Sequence, residues 1–202
     1  MAPTKMGYDD YVCAEREAMT PIDEYDDHST FPKRAGLLQT RGLSLVPINE
    51  NIPDYSRWLN DPEIVKFSEL RHRSHTPESC IEYIKGFDQI DNCMWAIYAI
   101  GPDMHIGNIT IHIDPNNNVA QMGMLIGEKW AWGRKYGREA WGAVMTWAKT
   151  QKIRQVEAGC MFSNLGMRRI MILCEMLHCA TVEGHFLLDG AIMSKAIYKR
   201  VL

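Results

Sequence analysis

IGEKWAWGRKYGREAW, residues 126–141, decides how this chain is read. A glycine closes an apolar run, two tryptophans follow, and GRKYGR (133–138) sets three cations within six residues. An apolar stretch then resumes. A strand that ends in glycine, a loop and a helix start together make a place to hold an anion. The first N–H groups of a helix have no partner inside it, and the helix dipole adds partial positive charge there. Gly133 and Gly137 let the backbone come close to a ligand, and Arg134, Lys135 and Arg138 add full charges. Such a junction suits a pyrophosphate. From the loop alone, a surface turn with solvated cations fits equally well. Two other phosphate-binding patterns do not fit. Neither Gly127 nor Gly133 continues as GxxxxGK[ST], and a dinucleotide GxGxxG fingerprint needs a βαβ unit, whereas the preceding strand here belongs to a hairpin.

That hairpin is the clearest local pattern. HIGNITIHI (105–113) alternates through Ile109, Ile111 and Ile113, DPNNN (114–118) is a turn, and VAQMGMLIG (119–127) returns as a strand. Upstream, MWAIYAI (94–100) is a strand and GPDM (101–104) a turn. LQTRGLSLVPI (38–48) predicts a first strand and 54–66 a helix. A second helix starts at Thr76 as cap with Pro77 in its first turn. Downstream, Ala140, Trp141, Val144, Met145 and Ala148 fall at helical spacing. Residues 153–163 predict a strand, 164–177 a helix, and 182–201 two strands around LDGA. This order predicts an α+β fold with a mixed, mostly antiparallel central sheet flanked by helices.

The composition sets bounds. A chain of 202 residues, 46% hydrophobic and 23% charged, is long enough for one domain with a sizeable core. A net charge of -3 gives no electrostatic case for nucleic acid or an anionic membrane as partner. No apolar run reaches membrane-spanning length, and no basic-then-apolar leader opens the chain, so a cytoplasmic protein is expected. The six cysteines are scattered, without CxxC, and read as free thiols. No metal site is expected. Residues 1–36 stand apart as an acidic extension, with Asp9, Asp10, Glu15, Glu17, Asp23, Glu24, Asp26 and Asp27 set against Arg16. The remaining domain is expected over 37–202.

On these residues the chain resembles the GNAT superfamily of acetyltransferases. The likeness is to the branch that includes ribosomal-protein, spermidine and nucleotide-amino-sugar N-acetyltransferases. It rests on IGEKWAWGRKYGREAW, WLNDPEIVKF (58–67), IGNITIHID (106–114), SNLGM (163–167), VEGHF (182–186) and LLDGAIMSKAIYKRV (187–201). The resemblance implies acetyl-CoA as co-substrate. Its pyrophosphate would lie on the N–H groups of Gly133, Arg134, Lys135, Tyr136, Gly137 and Arg138, and its pantetheine along the backbone of Met124, Leu125 and Ile126. Asn164 would contact the cofactor near the thiol, and a strand N–H at Leu125 would polarise the thioester carbonyl. Trp130 and Trp132 would flank the cofactor.

Two departures from the pattern stand out. Lys135 occupies a position where the family carries glycine, and an ordinary backbone angle is expected of it, since a left-handed one strains a lysine. The helix after Asn164 lacks the tyrosine many relatives use as general acid. The acceptor pocket is implied in KFSELRHRSH (66–75), with Glu69 as base or ammonium ligand. Arg71, His72 and His75 are candidates to read an anionic acceptor, and His112 is a further substrate candidate from the hairpin. Each of these also reads as ordinary loop or core polarity. Cys160 and Cys174 have no activating base in the sequence and read as core rather than nucleophiles. The implied activity is transfer of acetyl to a primary amine of a small molecule, such as a nucleotide-linked amino sugar. The alternatives are a protein N-terminal or polyamine acceptor, or a non-catalytic CoA-binding module with the same fold. A homodimer is one assembly left open.

Overall fold

The computed structural model of the chain describes residues 35–49 and 55–202. The acidic extension expected over 1–36 therefore lies, up to residue 34, outside the described residues. Its last two positions pack on the sheet. Ala35 N donates to Gln89 O at 2.9 Å, and Gly36 O accepts from Trp95 Nε1 at 2.9 Å.

The described elements are β1 (Leu38–Gln39), β2 (Leu43–Pro47), α1 (Tyr55–Leu59), α2 (Pro77–Lys85), β3 (Asn92–Ala99), β4 (Met104–Asp114), β5 (Val119–Ile126), α3 (Tyr136–Thr150), β6 (Gln155–Met161), α4 (Leu165–Leu173), β7 (Leu177–Leu188) and β8 (Ala191–Val201). Short 3-10 turns cover Glu69–His72 and Lys129–Ala131. All the strands join one eight-stranded sheet in the order β1-β2-β3-β4-β5-β6-β8-β7. Every pairing is antiparallel except β5 with β6. The expected mixed, mostly antiparallel sheet with flanking helices is the observed one.

The strand faces follow the alternation of the sequence. Ile109, Ile111, Met122 and Met124 lie in the cluster with Trp141, Val144 and Met145 of α3 and Met171 of α4. The other face carries Tyr55, Trp58, Ile84 and Met94, with Leu125 packed against them. The helix α2 starts as predicted. Thr76 and Ser79 form a reciprocal capping box, with Pro77 at the first position.

Three element boundaries differ from the sequence reading. The single strand expected over 38–48 folds back on itself, because the turn at Arg41 and Gly42 pairs β1 with β2. The helix expected to reach residue 66 stops at Leu59. Asp61 Oδ1 takes the N–H groups of Glu63 and Ile64, a local bond that competes with the helix ladder. The helix expected over 164–177 ends at Leu173, and Glu175 turns left-handed at φ 60°, so that β7 begins at Leu177.

Candidate active site

The parallel pair β5–β6 is short. Val119, Ala120 and Gln121 pair with Gln155, Val156 and Glu157, after which the two strands diverge. A cleft of about 290 Å³ opens between them. Its floor and walls include Met122 to Leu125, Trp141, Ala158 to Cys160, Asn164 and Met167. Tyr55, Ser68, Leu70, Tyr83, Asn108 and Thr110 close it on the α1–α2 side.

The ladder between β4 and β5 decides which backbone groups face this cleft. Gly127 N donates to Ile106 O at 2.8 Å, and the register continues as Leu125 opposite Asn108 and Gly123 opposite Thr110. In an antiparallel ladder hydrogen-bonded pairs alternate. The N–H and C=O of Gly123 and Leu125 are therefore directed at β4, and those of Met122, Met124 and Ile126 at the gap. This corrects the expected donor. The Leu125 N–H is spent on β4, and the unpaired strand edge belongs to its even-numbered neighbours. Two of those groups are already engaged, since the last rung with β6 takes the Met122 N–H to Glu157 O and Trp132 Nε1 donates to Ile126 O at 2.9 Å.

At the end of β5 the chain passes through the 3-10 turn into α3. Lys135 is the N-cap residue of α3 and gives no side-chain cap bond, so the N–H groups of Tyr136, Gly137 and Arg138 are left for a ligand. Within the expected six-residue seat, Arg134 N is spent on Ala131 O, at 3.4 Å. Arg134 contributes through its side chain instead. Its Nε donates to Trp130 O at 2.8 Å, its guanidinium lies 5.8 Å from the Trp130 ring centre, and Trp130 in turn meets Tyr136 edge-on. This holds the guanidinium beside the helix start. Gly133 sits at φ +73°, where glycine is the natural occupant. Gly137 serves close packing, since a Cβ there would stand 2.9 Å from Ile170 Cδ1 and 3.1 Å from Met124 Cε.

Lys135 departs from expectation. Its φ is 70° and ψ -3°, the left-handed conformation and not an ordinary one. The lysine thus takes the backbone shape a glycine would adopt freely, at a cost of roughly 1 kcal/mol. Lys135→Gly is expected to raise the thermal midpoint by a few degrees while leaving the loop shape unchanged. A lower midpoint in a melting experiment would contradict this.

The other sequence candidates separate into two groups. Arg71 and His72 line a second, open groove of about 940 Å³ between the 59–74 segment and the β7–β8 turn. Lys66 and Arg73 line it as well, with Glu63 and Asp189. Arg71 is mostly committed to structure. Its Nη1 donates to Ser68 O and Glu69 Oε1, and its Nη2 donates to Leu187 O at 2.8 Å, tying the loop to β7. The remaining three are not brought to the cleft. Glu69 is exposed, paired with Arg71 at 2.7 Å, 3.6 Å from His72, and outside the cleft lining. His75 is buried, with Nε2 on Leu70 O and its backbone N–H on Asn60 Oδ1. His112 shares a strand face with Asn108 and Thr110 as expected. It lies further along β4, however, with Nδ1 on Asn92 Oδ1 and its ring against Phe87, and burial lowers its pKa. Among the described residues, the cleft lining holds no carboxylate and no imidazole.

Asn164 does line the cleft, and it also caps α4, its Oδ1 accepting from Met167 N at 3.0 Å. The helix that follows carries no tyrosine. Instead, Tyr55 and Tyr83 bring phenols to the opposite wall, 6.4 Å apart between ring centres. Burial pushes both above the usual tyrosine range, so both stay protonated. Sequence reasoning passed over Tyr83 because it sits at an ordinary position of a helix. No local pattern marks a residue that reaches a cleft formed by distant strands. Burial also pushes the Cys160 thiol up to about 11. A group with a raised pKa keeps its proton at every pH below that value, so at pH 7–8 Cys160 is a neutral thiol and a poor nucleophile. Cys160→Ala is expected to leave turnover within about twofold. Mass spectrometry of the wild-type protein with acetyl-CoA should find no acetylated cysteine. A stable acetyl-enzyme at Cys160 would refute this.

A splayed strand pair with a helix start beyond its open end offers strand-edge groups and helix N–H groups to an extended anionic ligand. The sequence profile of the acetyltransferase (GNAT) domain matches residues 43–176, and the chain belongs to this family. It is a GNAT acetyltransferase. Solved structures share the fold. RimL, a ribosomal-protein alpha-N-acetyltransferase solved with coenzyme A, superposes with a TM-score of 0.74 at 16% identity, covering 82% of this chain and 98% of that one. A GNAT acetyltransferase from Bacillus anthracis gives 0.69 at 16% identity, again over 82% and 98%. An acetyl transferase from Salmonella typhimurium that modifies the N-terminal serine of a 50S ribosomal subunit protein gives 0.69 at 16% identity, over 82% and 99%. No curated protein matches the chain significantly in sequence. Among the described residues, no helix is long and apolar enough to cross a membrane, and no group of three or more His, Cys, Asp or Glu could hold a metal ion.

Proposed function

We propose that the chain transfers acetyl from acetyl-CoA to the primary amine of a small acceptor that carries negative charge, such as a nucleotide-linked amino sugar. The observation that carries the cofactor half is the continuity of one path. The Met122 carbonyl and the backbone groups of Met124 face the cleft beyond the last β5–β6 rung, and the same strand leads to the open N–H groups of Tyr136, Gly137 and Arg138. Pantetheine would add to the strand edge as a partial β-strand, and the pyrophosphate would rest on the helix start beside Arg134 and Arg138. Tyr136, Gly137, Arg138, Met124 and Asn164 keep their expected roles in this reading, and the donor to the thioester carbonyl moves from Leu125 to a gap-facing N–H of β5. The amine attacks the thioester carbonyl directly, its excess proton passes to water, and the protonated phenols of Tyr55 and Tyr83 can return a proton to the leaving thiolate.

The acceptor half rests on the groove. Its lining carries Lys66, His72 and Arg73 beside Glu63 and Asp189, while the Arg71 guanidinium is tied to Ser68, Glu69 and Leu187. With Glu63 paired to Lys129 at 2.7 Å, the cations outnumber the carboxylates left to meet a ligand, which favours an acceptor with phosphate or carboxylate groups over a polyamine. The test is calorimetry with acetyl-CoA followed by CoA release against a panel of nucleotide amino sugars, polyamines and acidic peptides. Turnover with an anionic amino sugar is the expected result. Turnover confined to polyamines, or to peptides, would overturn the acceptor assignment. Tight acetyl-CoA binding with no CoA release from any amine would favour the non-catalytic module.

A further inference from the structure

Two residues that line the cleft each carry a buried hydrogen-bond donor with no partner. The donors are Asn108 Nδ2 and Trp141 Nε1. Asn108 is 3% exposed and Trp141 fully buried. A buried donor left unpaired is costly, and native structures rarely keep one without a reason. Here two such atoms belong to residues that line one cleft, from opposite faces of the sheet. Trp141 lies in the cluster with Met122 and Met124, on the side of α3. Asn108 lies on the other face, directly opposite Leu125.

The orientation of the Asn108 amide is set by its neighbour. His105 Nε2 lies 3.0 Å from Gly107 O and 2.9 Å from Asn108 Oδ1. A carbonyl oxygen only accepts, so Nε2 must carry the proton. The atom of Asn108 facing it must then be the oxygen, which leaves the NH₂ on the other branch of the amide. His105 is itself clamped, with ring centres 4.7 Å from Trp58 and 5.2 Å from Tyr98. Gly123 on β5 adds no side chain between Asn108's neighbour Thr110 and the cleft, and a Cβ there would stand 3.1 Å from Thr110 Oγ1.

We infer that these two donors grip the acyl-CoA thioester from both faces of the sheet, Trp141 Nε1 bonding an amide carbonyl of the pantetheine arm and Asn108 Nδ2 bonding the carbonyl oxygen of the transferred acyl group. His105 is a positioning residue that fixes the Asn108 amide. The assignment rests on the acetyl-CoA reading above. The two donors have different signatures. The Trp141 donor serves CoA and acetyl-CoA alike. The Asn108 donor serves only the acylated form, and it counts for more as charge develops on the carbonyl oxygen.

The test is calorimetry with CoA and acetyl-CoA, together with steady-state kinetics, on the full chain and four variants. Trp141→Phe keeps an aromatic ring, removes the donor, and should weaken both ligands about five- to tenfold. Asn108→Ala should lower kcat about tenfold or more with CoA affinity unchanged, and should remove any preference for acetyl-CoA over CoA. Asn108→Leu matches the side-chain volume and should behave the same way if the alanine variant folds poorly. His105→Phe keeps the stacking, frees the amide to flip, and should lower kcat while leaving CoA affinity unchanged. Wild-type binding with the Trp141 and Asn108 variants all within twofold of it would overturn the donor assignment alone. A wild-type protein that binds neither ligand would refute the acetyl-CoA reading itself.

Discussion

Gly127→Ala is expected to lower the thermal midpoint by roughly 6–12 °C, about 3 kcal/mol or more. An added Cβ at Gly127 would fall inside the Trp58 indole, overlapping Cγ, Cδ2 and Cε2. The indole cannot move aside. Trp58 is fully buried, its Nε1 donates to Glu128 Oε1 at 3.0 Å, and the His105 ring lies against it. Gly127 is also held from the backbone, its N–H on Ile106 O. Relief requires either β5 to leave β4 or α1 to leave the sheet. Both would disturb the His105–Asn108 pair as well, so any folded fraction should also lose kcat. Melting by circular dichroism checks the first effect. An unchanged midpoint would show that the contact relaxes cheaply and that Trp58 is less constrained than its partners indicate.

Arg134→Glu is expected to weaken CoA and acetyl-CoA about a hundredfold without lowering the melting temperature. The wild-type guanidinium is held beside the α3 start by Trp130 O and the Trp130 ring, so little ordering remains to be done on binding. A charge-assisted hydrogen bond is worth about 1.5–3 kcal/mol, and reversal adds repulsion with the pyrophosphate. The matched control is acetyl-pantetheine, which lacks the pyrophosphate and should be used equally by wild type and variant. Equal loss with both donors would place Arg134 elsewhere in the mechanism. Equal affinity for CoA in wild type and variant would remove the pyrophosphate from this seat.

Much of this architecture follows from local pattern. The strand alternation of 105–113 and 119–127 decided the hairpin. The spacing of Ala140, Trp141, Val144 and Met145 decided the buried face of α3, and Thr76 with Pro77 decided the start of α2. Each is a statement about neighbours within a few residues, which is the range over which side-chain periodicity and capping act. The cation-rich junction was legible for the same reason, since strand end, glycine and helix start are adjacent in the chain.

What escaped the sequence depends on contacts between distant segments. Whether the Leu125 N–H is free depends on its register with Asn108, a choice of pairing parity that no single strand contains. Glu69 and His75 read as acceptor ligands by type. Their partners, Arg71 in one case and Leu70 O and Asn60 in the other, were decided by how the 60–75 segment folded back. Lys135 was expected to keep an ordinary angle because lysine prefers one, and in the folded chain it stands at φ 70° where the 3-10 turn passes into α3. The sequence by itself determined the family, the sheet-forming segments and the cation-rich junction, because short-range hydrogen bonding and periodic burial specify them. Only the tertiary structure decided which backbone groups of β5 face the cleft, which candidates reach it, and that Asn108 and Trp141 stand in its wall with donors unpaired, because those outcomes depend on how strands far apart in the chain come into register.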